Sequence, residues 1–61
     1  MAQVTLSVGG RNYDLMCHAG EERHYERLAA RIDAKAQAVR GAVGGVSESR
    51  QLLLAALLLA D

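Results

Sequence analysis

The run LLLAALLLA, Leu52 to Ala60, decides how this chain must fold. Its nine consecutive apolar residues are closed only by Asp61. Leu and Ala are strong helix formers, and neither a β-branched residue nor Gly interrupts them. On a helix such a run is apolar on every face, and a helix of that kind has to be covered on every face. Nine residues are too few to span a bilayer, which takes about 20. A chain of 61 residues also has too little other material to surround the helix. A second copy of the chain is the simplest cover. Leu53, Leu54, Leu57 and Leu58 are therefore expected in a homodimer interface, together with part of a preceding helix.

Composition points the same way. A domain of about 60 residues buries only about 60% of the surface of its unfolded chain. Small chains compensate with disulfides, a metal or oligomerisation. Cys17 is the single cysteine, so no internal disulfide can form. A lone thiol fits a reducing compartment, the cytoplasm. The N-terminal MAQVTLSV lacks the basic and long apolar segments of a secretion signal. Seven Lys and Arg balance seven Asp and Glu. The signs alternate through EERHYERLAARIDAK, the pattern of a solvated helix face. A net basic domain, the usual mark of nucleic-acid binding, is absent.

Upstream of the apolar run the pattern changes twice. Gln3 to Val8 alternates, with Val4, Leu6 and Val8 on one face, which predicts a half-buried strand. Gly9-Gly10 suits a tight hairpin turn. Arg11 to Cys17 returns, with Tyr13, Leu15 and Cys17 on one face and Met16 an exception on the other. The hairpin is expected over 3–17 and needs a helix beneath it. Glu21 and Glu22 favour a helix start. Tyr25, Leu28, Ile32, Ala36, Val39 and Val43 then recur at spacings of three and four, an amphipathic stripe. Arg23, Glu26, Arg27, Asp33, Gln37 and Arg40 take the opposite face and are expected in water. The spacing predicts a helix over 21–40, a loop over 41–46 containing Gly41, Gly44 and Gly45, and a second, long helix over 47–61 with Ser47 as N-cap. No stop signal closes that last helix, so it is expected to continue past Asp61.

No constellation for chemistry emerges. Cys17-His18 places a thiol beside an imidazole, but adjacent residues seldom serve one site and nothing orients the His. Cys17 reads better as a small buried hydrophobe. His18, Glu21, Glu22 and His24 match no zinc spacing. Gly9-Gly10-Arg11 lacks the parts of a phosphate loop. The reading is of a non-enzymatic module with no cofactor.

The strand ending in Gly10-Arg11, the strand ending in Cys17, the Glu21-Glu22 start, LAARIDAKAQAVR (Leu28 to Arg40) and RQLLLAALLLAD (Arg50 to Asp61) together resemble the ZapA family, small bacterial proteins that associate with the division protein FtsZ. The resemblance runs over 1–61 as one head domain. It implies an α+β fold, a β-hairpin followed by two helices, in an intertwined cytoplasmic homodimer at the division site. It implies a coiled coil beyond the head that joins dimers into tetramers, and assemblies that cross-link and bundle FtsZ filaments. It implies no enzymatic activity, no cofactor and no membrane insertion. Beside it, the polar residues Arg11, Lys35, Arg40 and Glu48 are the candidates for the FtsZ contact, which should be salt-sensitive and of modest affinity. A small dimeric DNA-binding or antitoxin-type regulator is the alternative, disfavoured by the balanced charge; mobility shift with random duplex DNA separates the two.

Overall fold

A computed structural model of the chain describes residues 1–42 and 44–61. Val43, placed on the helical stripe by its spacing, lies outside the described residues. The element order is β1 (Ala2–Val8), β2 (Arg11–Cys17), α1 (Glu22–Ala42) and α2 (Glu48–Ala60). This is an α+β fold, an N-terminal antiparallel hairpin followed by two helices.

The hairpin is paired from Ala2 opposite Cys17 to Val8 opposite Arg11. Only Gly9 and Gly10 remain to turn the chain, with φ of 63° and 84°. Two successive positive φ angles match the twist of the flanking strands, and Gly adopts them without a Cβ penalty. Register puts Val4 opposite Leu15 and Leu6 opposite Tyr13 on the apolar face. Thr5 and Asp14 pair on the other face, the Thr5 hydroxyl donating to the Asp14 carboxylate at 2.7 Å. Met16 sits on that polar face and is exposed, as its place in the alternation requires.

Glu22 opens α1 with its carboxylate turned back to accept from the Gly20 N–H at 2.7 Å. That satisfies a donor near the helix start and places negative charge where the macrodipole favours it. The helix continues through Gly41 to Ala42, and among the described residues of the following loop Gly45 is left-handed, with φ of 77°. Ser47 caps α2, its hydroxyl accepting from the Arg50 N–H at 3.2 Å. Within the described residues α2 is the shorter helix, 13 residues against 21.

α1 packs against both β1 and α2. The buried core consists of Val4, Val8, Cys17, Ala29, Ala36, Val39 and Ala55, with Gln51. Its residues are small, and among the described residues no large side chain is fully enclosed. The stripe on α1 is therefore covered unevenly: Ala36 and Val39 are buried, Tyr25 and Ile32 half-buried, and Leu28 exposed. The small Ala29, next to Leu28 in sequence, is buried instead. None of the described helices is long and apolar enough to cross a membrane.

Candidate partner-binding surface

The hairpin turn is clamped from two sides. Asp33 and Arg40 lie seven residues apart on α1, close to two full turns, and so share a face. Asp33 Oδ1 accepts from the Gly9 N–H at 2.8 Å. Arg40 Nη2 donates to the Gly9 carbonyl at 2.7 Å. Both polar groups of one glycine are thus held by one helix face. Asp33 Oδ2 accepts a further bond from Gln37 Nε2 at 2.7 Å. The periodicity assigned Asp33 to the solvated face; the structure corrects this, because the side chain is half-buried and bonded to the turn. Hydrophobic spacing cannot register such a bond, since the partner lies 24 residues away.

α2 completes the junction. Glu48, in its first turn, pairs with Arg11, whose Nε lies 2.5 Å from Glu48 Oε2. It also accepts from the Tyr13 hydroxyl. One carboxylate thereby ties β2 to the start of α2. Gln51, one turn on, is buried and donates through Nε2 to the Ala36 carbonyl at 2.9 Å. The same amide lies over the turn: a Cβ added to Gly9 would meet Gln51 Oε1 at 3.4 Å. Gly9 therefore sits where β1, α1 and α2 converge.

Three of the four polar candidates meet here. Arg11, Arg40 and Glu48 surround the turn, while Lys35 does not join them. It lies roughly 160° around α1 from Asp33, at about 100° per residue. It is exposed and, among the described residues, forms no ion pair. Tyr13, Asp33 and Gln51 hold the junction together; the sequence places Tyr13 on an apolar strand face and Asp33 on a solvated helix face, and marks none of the three as a junction residue.

The leucines are divided too. Leu53 and Leu57 are 59% and 57% exposed, on the side of α2 away from buried Ala55. Leu54 is half-buried and Leu58 exposed, and with Val39 and Leu57 they line an open groove of about 500 Å³. A second groove of about 280 Å³ is formed by Leu6, Val8, Tyr13, Leu15, Ile32 and Leu52. It is bounded by the apolar face of the hairpin and by one residue from each helix.

Cys17 is a free, buried thiol. Burial pushes its pKa up, and the carboxylates of Glu22 and Glu21 push in the same direction. That is the opposite of what an activated nucleophile requires. Among the described residues no cluster of His, Cys, Asp and Glu is arranged to hold a metal ion.

A small α+β unit with a braced polar junction and open leucine-lined faces is defined by what its surface can bind. The family model described as Cell division protein ZapA matches residues 4–61, and the chain belongs to that family, one of non-enzymatic cell division proteins. No curated protein and no solved structure matches it.

Proposed function

We propose that this chain is an accessory protein of cell division that binds FtsZ filaments and promotes their assembly, cross-linking and Z-ring stability. It acts without a cofactor, as a cytoplasmic homodimer at the division site. The observation that carries this reading is the family match over residues 4–61. The polar junction of Arg11, Arg40 and Glu48 supports it, because braced charges lose less freedom on binding than loose ones. Leu53, Leu54, Leu57 and Leu58 carry the dimer contact, supported by the exposure of apolar side chains that a lone chain leaves in water. A twofold dimer turns one weak site into two that face apart, and multivalency along a filament makes weak sites effective. Tetramers and full bundling are expected only where a coiled coil follows the head.

Co-sedimentation with polymerised FtsZ over a salt series tests the reading. Wild type should pellet with filaments at low salt and progressively less as screening increases. Arg11→Glu should weaken the contact while keeping the dimer. Absence of wild-type binding at high protein concentration removes the assignment to FtsZ, and binding indifferent to both salt and Arg11→Glu removes the assignment to this surface.

A further inference from the structure

The zero net charge of this chain conceals a segregation. Arg23, Arg27, Arg31 and Lys35 follow one another at intervals of four on α1 and are all exposed. They are four of the seven cations in the chain. With Cβ atoms about 6 Å apart, they form a row roughly 18 Å long. The row lies on the side of the helix opposite buried Ala29 and Ala36. Its neighbours on that face are His24, Ala34 and Ala38, none of them an acid. The acids of α1, Glu22, Glu26 and Asp33, fall together on the flank that also carries Arg40.

The row has no internal use. Among the described residues none of the four cations takes part in an ion pair; the one ion pair there joins Arg11 to Glu48. Like charges at i and i+4 destabilise a helix. Three successive pairs of that kind are a cost, offset only at Arg23, where Glu26 follows three residues on. The cations at the hairpin turn differ, since Arg11 and Arg40 are both engaged within the chain.

We propose that the row Arg23, Arg27, Arg31 and Lys35 is a docking surface for an acidic polypeptide segment. Three of the four cations are Arg, whose planar fork matches a carboxylate bidentately. A row of carboxylates at one-turn spacing, or along an extended acidic strand, meets the cations in sequence. The width of the surface favours a polypeptide over a nucleic acid. A duplex is broader than the helix and would lay its phosphates over Glu22 and Glu26 as well, where repulsion opposes them. A single polypeptide segment covers the row and leaves that flank in water. The proposal is independent of whether FtsZ binds at the hairpin turn.

Fluorescence anisotropy with a short labelled oligoglutamate peptide tests it, using the intact chain at low and at physiological salt. Wild type should bind, with affinity falling as salt rises. Arg27→Glu combined with Arg31→Glu should weaken binding at least about tenfold, as expected for two lost attractions turned to repulsions. Arg50→Glu, the same charge change on α2, should alter it less than about twofold. Circular dichroism checks that the variants keep their helix content, and Arg27→Gln with Arg31→Gln serves if the reversals do not fold. Equal binding by wild type and the double variant overturns the proposal. So does tighter binding of random duplex DNA that the double variant abolishes, which would make the row a nucleic-acid surface. A changed solution mass for the double variant also overturns it, since the row would then face a second copy of the chain.

Discussion

Replacing Asp33 with Ala removes one arm of the clamp on the hairpin turn, and its cost can be worked from the geometry. The Gly9 N–H, half-buried and bonded to a carboxylate at 2.8 Å, loses its acceptor. A charge-assisted bond of that kind is worth about 2 kcal/mol net. The exposed Gln37 bond adds a few tenths, about 0.3 kcal/mol for an i, i+4 pair. Ala is the better helix former by up to about 0.7 kcal/mol, which offsets part of the loss. The balance is a destabilisation of about 1.5 kcal/mol. For a chain of this size that lowers Tm by roughly 6–12 °C. Asp33→Asn keeps a neutral acceptor and should cost less than about 1 kcal/mol. Thermal melts followed by circular dichroism, all at one protein concentration because self-association shifts Tm, measure both variants. If both melt within about 2 °C of wild type, the turn is not held by Asp33 and the clamp has been misread.

Other expectations follow from single features. Leu57→Asp places a charge on the exposed apolar face of α2 and should cost several kcal/mol if that face is an interface, giving monomer or aggregate by light scattering; a folded, soluble dimer of this variant would refute the interface. Gly41→Ala, inside α1 with open space around its Cβ position, should stabilise by about 0.5–1 kcal/mol, whereas Gly45→Ala at φ 77° should destabilise by about 1–2 kcal/mol in urea titrations. Cys17 has a raised thiol pKa, so it stays protonated when folded at pH values where the unfolded chain ionises. Stability should therefore be constant below the ordinary thiol range and fall as pH rises through it, and Cys17→Ala should abolish that part of the fall. His24→Ala, at an exposed position, should leave the melt unchanged.

The elements were legible because each is written in local sequence. The alternation of Val4, Leu6 and Val8, the Gly9-Gly10 pair and the Ser47 cap each specify a piece of backbone from a few adjacent residues. The leucine run specified a helix and, by having no polar side, an uncovered one. The junction at Gly9 was not legible. Its bonds join residues 24 and 31 positions apart, and the residues making them, Asp33 and Arg40, carry the same polar signature as neighbours that stand in water. Charge balance misled in a different way. Summed over the chain it is zero, yet wound on a helix it separates into a cationic row and an acidic flank. Leu28 shows the limit of the stripe as a predictor: its spacing is right, yet it stays exposed while Ala29 beside it is buried.

A two-stranded hairpin has few internal means of choosing its pairing. A slip of one residue would keep most ladder bonds and turn Val4 and Val8 outward. Here the choice is made from outside the sheet. α1 grips both the N–H and the C=O of Gly9, so it recognises the turn residue itself rather than the strands that flank it. A slipped hairpin would change the turn geometry, move those main-chain groups out of line with Asp33 and Arg40, and lose its apolar contacts. The helix thus works as a gauge against which the strands are aligned.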